Sequence, residues 1–227
     1  MGEESAHFSP QFFGFFRELA RNNNREWFTA NKGRYEAVVQ EPCLRFIRDV
    51  GAGLRTLAPH LVADARPFGG SLFRIYRDIR FSPDKSPYKT AAAMHFSYAK
   101  AKGPEHATPG LYLHLEAGKS FAASGVWQPD AATLKKIRDR IVAKPNEWRA
   151  VRRSKAEIEG ESLKRAPPGY DPNHPFALDL RRKEFVASVA FRDAEVTSPA
   201  FLQGFLEACR AMDPLNRFVA KAIGIPW

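Results

Sequence analysis

The chain has 227 residues, of which 44% are hydrophobic and 18 are phenylalanine. This length suits one domain with a large core, and the apolar content excludes a disordered chain. The formal net charge of +10 favours acidic partners, namely nucleic acid, anionic small molecules or a membrane surface, although the charge is spread along the sequence.

The chain begins with a predicted amphipathic helix. Ser9 and Pro10 form a typical helix start, with serine as the cap and proline in the first turn. The apolar residues that follow have helical spacing and predict a core stripe: Phe12, Phe15, Phe16 and Leu19. Three asparagines at 22–24 end the helix, because asparagine tolerates left-handed backbone and can cap the next helix.

Two further helices are predicted before residue 60. The second begins near Arg25, and Pro42 should end or kink it, because a helix interior needs the N–H that proline lacks. A third helical run covers residues 44–54, and Pro59 closes this first helical block. The first quarter of the chain is therefore predicted to be helical.

Residues 72–81 predict a β-strand, opened by the flexible pair Gly69-Gly70. Alternation assigns one set of side chains to an apolar face, namely Phe73, Ile75, Ile79 and Phe81. It assigns a second set to the opposite face, namely Leu72, Arg74, Tyr76, Asp78 and Arg80. Arg77 falls on the apolar face, so its guanidinium must find a carboxylate, reach solvent or be re-aimed by a β-bulge.

A cluster of cations overlaps this strand and the irregular segment after it. Turn-forming residues at 82–84 and a Ser-Pro pair at 86–87 keep that segment out of helix. The clustered cations are Arg74, Arg77, Arg80, Lys85 and Lys89. Arginine offers a planar fork to an anion, while lysine offers a mobile point charge. The cluster therefore predicts either an anion site or an ion-pair web that Asp78 and Asp84 neutralise.

Three more strands are predicted, at 94–98, 111–116 and 120–127, and the last two are joined as a hairpin. A polar loop is predicted over 100–109. Strands that follow one another without helices between them indicate an antiparallel sheet. Alternation places polar candidates on the face opposite the core, near the arginines: His95, Tyr112, His114, Glu116 and Trp127. His114 with Glu116 suggests acid–base work or metal ligation, but such a pair is more often solvated, and no metal motif is present.

The second half of the chain alternates helices with one strand. A helix follows Pro129, is broken by Pro145 and continues as a short helix over 148–158, with a basic outer face between Lys135 and Arg153. Residues 160–175 are irregular, with Tyr170, Asp171 and His174 as weaker site candidates. A strand is predicted over 184–191. Ser-Pro at 198–199 and Asp-Pro at 213–214 each mark a predicted helix start.

Cellular location is predicted from cysteines and hydropathy. Cys43 and Cys209 are far apart in apolar contexts and predict reduced, buried thiols. The first residues lack the basic start and apolar run of a signal peptide, and no apolar run is long enough to span a bilayer. The sequence therefore predicts a soluble, cytoplasmic protein that makes no membrane contact.

A longer pattern within the cationic stretch resembles a known signature: Arg74-x-x-Arg77-Asp78-x-Arg80-Phe81-x-x-Asp84-Lys85-x-x-Tyr88. It is similar to the signature of domain of unknown function family 2461, a family of about this length that is scattered widely in bacteria. Residues 22–28, 168–171 and 174–175 also resemble that family, so the likeness covers nearly the whole chain. The resemblance implies no activity, cofactor or catalytic residue.

These observations predict one α+β domain over 1–227, in which an antiparallel sheet of about five strands is flanked by N- and C-terminal helices. Its expected parts are helical at 8–58, β-rich at 69–128, helical and irregular at 129–183, and a strand with helices at 184–227. The sequence does not determine whether the protein uses a cofactor or what its oligomeric state is.

The leading functional hypothesis is binding of a phosphate- or carboxylate-bearing ligand, with or without turnover. Its residues are Arg74, Arg77, Asp78, Arg80, Asp84, Lys85, Tyr88, Lys89, Tyr112 and Trp127. Tyr76 would add to the aromatic wall, and His114 is the candidate proton carrier if catalysis occurs. The alternatives are a non-enzymatic nucleic-acid-binding module and a structural protein whose Arg-Asp motif is an internal clamp.

Overall fold

The computed structural model describes residues 5–98, 108–154 and 156–227. The predicted loop over 100–109 and the first four residues lie largely outside these ranges. The elements in chain order are helices α1 (Pro10–Arg21), α2 (Arg25–Ala30), α3 (Lys32–Tyr35) and α4 (Glu41–Leu57), strands β1 (Ala92–Phe96), β2 (Gly110–Leu115) and β3 (Ser120–Val126), helices α5 (Ala131–Ala143) and α6 (Pro145–Arg152), strand β4 (Glu157–Glu159), helix α7 (Ala177–Leu180), strand β5 (Phe185–Phe191), and helices α8 (Asp193–Val196) and α9 (Phe201–Ile223).

The strands form one five-stranded sheet in the order β1-β2-β3-β5-β4, and every neighbouring pair is antiparallel. β2 and β3 are joined by a tight turn in which Gly118 has a positive φ of 74°, a conformation that glycine adopts without a Cβ penalty. Helices stand at both ends of the chain. The predicted α+β class, with an antiparallel sheet of five strands, is confirmed.

The two faces of the sheet differ in what covers them. On one face Leu113 pairs with Met94 and Ala122, and all three are fully buried against the helices. α9 lies along β3 and β5 on this side, where the apolar side chains of strand and helix interdigitate. The other face, called the open face below, carries the alternate residues of the same strands, and several of them remain partly exposed: His95, Tyr112, His114, Phe121, Val186, Ser188 and Ala190.

The N-terminal helices close the core through aromatic contacts. The ring of Phe205 in α9 lies 5.5 Å from Phe46 of α4 and 5.9 Å from Phe96 of β1, measured between centroids. Phe12 and Phe15 of α1 are fully buried, as their helical spacing predicts. The core stripe predicted for α1 is therefore confirmed, and it connects the first helical block to the sheet.

Helix boundaries in this block follow local chemistry. The Asn24 side chain accepts a hydrogen bond from the backbone N–H of Trp27 at 2.9 Å and so caps α2. The chain then stays helical through a π-helical turn at Glu36–Gln40 into α4, whose first turn contains Pro42. Proline costs little there, because its missing N–H is compatible with the start of a helix. The change of helix type occurs where proline was predicted to end or kink the helix.

The predicted strand over residues 72–81 is wrong. Residues 71–73 run beside β1, with Phe73 N donating to Ala93 O at 2.9 Å and His95 N donating to Ser71 O at 2.8 Å. The chain then leaves the sheet and folds on itself. Phe81, which was predicted to be a core residue, is 93% exposed. The residues alternate as in a strand, but both faces of such a strand would carry arginines. Burying either face would therefore require burying a charged side chain, which costs free energy.

Two other predictions in the second half are wrong. Ile158 was placed in a helix but lies in β4, the fifth strand of the sheet, where it pairs with Ala187. Asp213-Pro214 was predicted to begin a new helix, yet α9 continues through Pro214. Proline in a helix interior costs about 3 kcal/mol, and the buried side chains on both sides of it, including Met212 and Leu215, outweigh that cost.

Candidate functional site

The cationic stretch forms a hairpin-like loop, residues 72–89, which we name the motif loop. Its two arms are held by backbone hydrogen bonds from Arg77 N to Pro87 O, at 2.9 Å, and from Lys89 N to Ile75 O, at 2.8 Å. A single β-bridge joins Tyr76 to Tyr88 between them. The loop therefore has two parts. Its base, residues 72–76 and 87–89, lies next to the sheet, and its tip, residues 77–86, lies beyond the Tyr76–Tyr88 bridge.

Tyr88 anchors the motif loop to the N-terminal helices. Its ring is 4% exposed and stacks on Phe28, with centroids 4.1 Å apart and planes at 24°. The side-chain amide of Asn23 donates to Tyr88 O at 3.0 Å and accepts from Tyr88 N at 3.1 Å, as a neighbouring strand would. One asparagine thus satisfies both backbone groups of the anchor. Tyr88 is therefore held by packing, with its ring buried against Phe28.

At the tip, both arginines are paired with nearby aspartates. Arg77 contacts Asp84, and Arg80 donates to both carboxylate oxygens of Asp78, from Nε at 2.9 Å and from Nη2 at 2.7 Å. The hydrogen bonds from Arg80 lower the pKa of Asp78 to about 2. The Arg80 side chain is nevertheless 75% exposed. The tip is therefore a solvated turn that is held by its own ion pairs.

Asp84 and Lys85 complete the tip. Asp84 Oδ1 accepts from the hydroxyl of Ser86 at 2.6 Å and from its backbone N–H at 2.8 Å. These bonds, together with Arg77, lower the pKa of Asp84 to about 2. The Lys85 ammonium donates to the carbonyl of Ile79 at 3.0 Å. The charged groups of the tip are thus paired with one another in contact with solvent.

The base of the motif loop has two cations that lack a carboxylate partner within the described residues. The Lys89 ammonium donates to the carbonyl of Arg74 at 3.0 Å and lies 5.3 Å from the ring centroid of Phe73. Partial burial, and then repulsion by Arg74, lower the pKa of Lys89. The exposed guanidinium of Arg74 has no hydrogen-bond partner within the same residues. Although Arg74 also contributes to the low pKa of Asp78, the oxygens of Asp78 are taken by Arg80.

A hydrogen-bonded chain of three side chains runs along the open face of β2 and its turn. The Tyr112 hydroxyl is 3.1 Å from His114 Nδ1, and His114 Nε2 is 3.1 Å from Glu116 Oε2. Lys119 Nζ lies 3.3 Å from the other oxygen of Glu116. Burial raises the pKa of Glu116, but the hydrogen bonds from His114 and Lys119 outweigh it and leave that pKa below its usual value. Glu116 is therefore an anion at neutral pH.

Aromatic rings connect this chain to the base of the motif loop. We name the ring row as Phe73, Tyr112, His114 and Phe121. Phe73 lies 6.3 Å from Tyr112, and Phe121 stacks on His114 at 5.1 Å with planes at 22°. The fold thus places Arg74 and Lys89, at the base of the motif loop, next to one end of the ring row.

A depression of about 260 Å³ opens beside Phe73. Residues that line it include Gly70, Ser71, Phe73 and His95. A side chain on Gly70 would meet the carbonyl oxygen of Asp64 at 2.5 Å, so glycine is required for this close approach of two backbone segments. The depression is small next to typical ligand pockets of roughly 300–1,000 Å³, and it suits one compact group.

The structure separates several residues that the sequence grouped together. Arg80 and Lys85 lie at the tip, whereas His114 lies on the open face. Trp127 is 53% exposed and directly follows the end of β3, six residues after Phe121, which is about 20 Å at the rise of a strand. Tyr170 donates its hydroxyl proton to Asp139 of α5 at 2.8 Å, so this part of the irregular segment is docked on a helix and not on the motif loop.

Three residues with clear roles at the site escaped the sequence analysis as site residues. Asn23 was taken only as a helix terminator, Phe73 as core and Phe121 as one residue of a strand. Phe121 alternates with buried residues of β3, so its side of the sheet could have been inferred from the hairpin register. Nothing in the local sequence indicates the contacts of Asn23 or Phe73, because their partners lie more than sixty residues away for Asn23 and in a separate strand for Phe73.

The profile of the family described as conserved hypothetical protein (DUF2461) matches residues 11–218. The chain belongs to this family. The match includes the whole motif loop and the open face, so both are parts of a DUF2461 domain. No curated protein and no solved structure matches the chain significantly. Within the described residues there is no group of three or more His, Cys, Asp or Glu side chains that could hold a metal ion, and no helix there has the length and apolar character needed to cross a bilayer.

Proposed function

We propose that this DUF2461 protein binds an anionic ligand, bearing a phosphate or carboxylate group, at the base of the motif loop. The observation that carries the proposal is the pairing state of the motif cations. Arg77 and Arg80 each have an aspartate, whereas Arg74 and Lys89 lie together without one in the described part of the chain. Partial burial, and after it the repulsion by Arg74, lower the pKa of Lys89, and an anion between the two cations would relieve that repulsion.

The surroundings of this pair favour a ligand with a planar or ring-shaped body. Lys89 lies over the ring of Phe73, and Phe73 borders both the ring row and the depression of about 260 Å³. A planar group can stack on Phe73 while its anionic group reaches Arg74 and Lys89. Because the site is a shelf and not an enclosed cavity, we expect affinity in the micromolar range or weaker, dominated by the two charge-assisted contacts.

Nucleic acid is the second candidate, and one observation favours it. The rings of Tyr112, His114 and Phe121 form a continuous, partly exposed series on an antiparallel sheet. Such platforms stack successive bases of single strands, and Arg74 and Lys89 would then contact a phosphate of the backbone. Binding of this kind weakens steeply as salt concentration rises, through release of counterions.

We place this activity in the cytoplasm. Cys43 and Cys209 are both buried free thiols, and burial raises the pKa of each above its ordinary value. Thiols in this state suit a reducing compartment, where disulfides are rare. The test of this location is fluorescence imaging of a tagged copy, with a uniform cytoplasmic signal as the expected result.

The proposal is tested by thermal shift and calorimetric titration with inorganic phosphate, benzoate, a nucleoside monophosphate and a single-stranded oligonucleotide. A binding ligand present at a hundred times its Kd stabilises the fold by about 2.7 kcal/mol, so its effect on Tm is measurable. The decisive variants are Arg74→Ala and, as a matched control, Arg80→Ala in the same loop. We expect Arg74→Ala to weaken binding at least tenfold and Arg80→Ala to leave it within twofold.

Two results would overturn the proposal. One is the absence of any shift with all four probes at millimolar concentration. The other is an equal loss of affinity in Arg74→Ala and Arg80→Ala, because the unpaired state of Arg74 would then have no consequence. Tight binding of the oligonucleotide alone, with strong dependence on salt, would select the nucleic-acid alternative in place of a small ligand.

A further inference from the structure

The side chains Tyr112, His114 and Glu116 have a fixed hydrogen-bond polarity. Glu116 is ionised and can only accept, so the proton between it and the imidazole belongs to His114 Nε2. A neutral imidazole that carries its proton on Nε2 presents a lone pair at Nδ1. Tyr112 lies 3.1 Å from that atom and must therefore donate its hydroxyl proton to it. The order is carboxylate, imidazole, hydroxyl, with each proton directed toward the carboxylate.

We infer that Tyr112 is a nucleophile for which His114 is the general base, and that Glu116 positions and polarises His114. This is the arrangement by which a weakly acidic hydroxyl is activated at the moment of attack, when a base removes its proton. Burial raises the pKa of Tyr112, so the free phenolate does not form at rest and the neighbouring base is what attack requires. Side-chain exposures of 20% for His114 and 31% for Glu116 leave the dyad open to a ligand from solvent.

The class of substrate follows from the neighbouring cations and rests on the proposed function, whereas the nucleophilicity of Tyr112 does not. Arg and Lys side chains that flank a reacting group favour phosphoryl transfer, because they neutralise the non-bridging oxygens. With a phosphate ester held by Arg74 and Lys89, the Tyr112 oxygen forms a bond to phosphorus and the bond from phosphorus to the leaving oxygen breaks. The phenol proton passes to His114 Nδ1 and then to the leaving alcohol.

Water completes the cycle by the reverse use of the same groups. A water molecule attacks the phosphorus of the tyrosyl phosphate and gives its proton to His114. The bond from phosphorus to the Tyr112 oxygen breaks, and that oxygen takes the proton back from His114. The net reaction converts a phosphate ester and water into an alcohol and phosphate. No charge or redox equivalent is left over, and no metal or cofactor is consumed.

The nucleophilicity of Tyr112 is tested with benzenesulfonyl fluoride, a neutral electrophile that reacts with base-assisted phenols. The phenol oxygen bonds to sulfur, fluoride leaves, and the proton passes through His114 to solvent. Peptide mass spectrometry of the digested full-length protein measures the labelling rate of each tyrosine. Tyr76 is the internal control, because it is 50% exposed and has no imidazole hydrogen-bonded to its hydroxyl in the described residues. We expect Tyr112 to react at least tenfold faster than Tyr76.

Two variants identify the base and its positioning residue. His114→Phe keeps an aromatic ring that can stack on Phe121 but removes the general base, so the labelling rate of Tyr112 should fall at least tenfold. Glu116→Gln can still accept from Nε2 but lacks the charge, so the rate should fall several-fold. If the hydrogen bonds are only structural, exposure decides: Tyr76 reacts first, and His114→Phe frees the Tyr112 hydroxyl and leaves its labelling unchanged or raises it. Either result overturns the inference. The comparison of Tyr112 with Tyr76 is made in the parent protein, so it does not depend on whether a variant folds.

An anionic probe separates this inference from the proposed ligand site. 4-(Fluorosulfonyl)benzoate carries a carboxylate that can reach Arg74 and Lys89, and it should label Tyr112 faster than the neutral probe does. Arg74→Ala should remove that advantage, measured as the ratio of the anionic to the neutral labelling rate in the same variant. Fast neutral labelling without an anionic advantage would reject the anion site and retain the nucleophile, whereas slow labelling of Tyr112 by both probes would reject the nucleophile.

Discussion

The base and the tip of the motif loop are built from the same residue types, yet they differ in charge balance. At the tip, Arg80 pairs with Asp78 two residues away, and Arg77 pairs with Asp84 seven residues away. At the base, Arg74 and Lys89 are fifteen residues apart and meet only because the loop closes. Cations with an aspartate nearby in sequence hold a turn. The two that the fold brings together have no aspartate partner within the described residues, which is the basis of the proposed anion site.

The strongest way to break this comparison is to release the loop from its anchor. Tyr88→Ala removes a ring that is 4% exposed and stacked on Phe28, and we expect a loss of about 3 kcal/mol in the free energy of unfolding. Chemical denaturation measures it. Tyr76→Ala, at a 50% exposed tyrosine of the same bridge, is the control and should cost much less. Equal effects would mean that Tyr88 is not the anchor.

The second test concerns the two hydrogen bonds between the Asn23 side chain and the backbone of Tyr88. Asn23→Ala leaves the N–H and C=O of a buried residue without partners, and we expect a cost of about 2 kcal/mol in stability. Asn23→Asp keeps the acceptor and loses the donor, so its Tm should lie between those of the parent and Asn23→Ala. An unchanged Tm in Asn23→Ala would show that water replaces the amide without loss.

The third test sharpens the contrast between the two lysines of the loop. Lys89 and Lys85 both donate to a backbone carbonyl at 3.0 Å, the first at the base and the second at the tip. Lys89→Met keeps the apolar stem and removes the charge, and we expect at least a tenfold loss of affinity for the anionic probe, which corresponds to about 1.4 kcal/mol. Lys85→Met should change the affinity less than twofold. Comparable losses would remove the distinction between base and tip.

The smallest expected effect concerns the pH dependence of the tip. The pKa values of Asp78 and Asp84 are lowered from 3.8 to about 2, by Arg80 for the first and by Ser86 with Arg77 for the second. A carboxyl whose folded pKa is depressed contributes stability above its ordinary pKa and loses it as pH falls toward the folded value. Carboxyl carbon NMR shifts should therefore show midpoints near pH 2 for both residues. Midpoints near 4 would mean that the tip pairs do not persist in solution.

Local patterns in the sequence predicted much of this fold. α1 and the β2–β3 hairpin follow from the spacing of apolar residues, from a proline in the first helical turn and from turn residues, which act over a few positions. The strand prediction for residues 72–81 failed for the opposite reason, since these residues alternate as a strand does but only Leu72 and Ile75 among them are buried. The predicted helix start at Asp213-Pro214 was wrong because tertiary packing keeps α9 helical through Pro214, and local helix propensity does not include that packing. β4 was missed because three residues are too few to carry a period.

For the site, the sequence identified the cations, Tyr112 and His114 as candidate residues but did not show which of them lie close together in the fold. Asp78 and Asp84 were predicted as competing partners of the cations, and only the tertiary structure shows which arginine each of them pairs with. Phe73 was assigned to the core because the register of its segment was unknown. Its place between Lys89 and Tyr112 depends on how residues 71–73 lie beside β1.

The sequence by itself determined the α+β class, the antiparallel hairpin and the family, because these depend on periodicity, turn chemistry and a long motif that can be read along the chain. Tertiary structure decided which charges are neutralised and which rings meet, because ion pairs and stacking depend on distance in space between residues far apart in sequence. For that reason closure of the motif loop brings Lys89 to Arg74, and the sheet places Tyr112 next to Phe73.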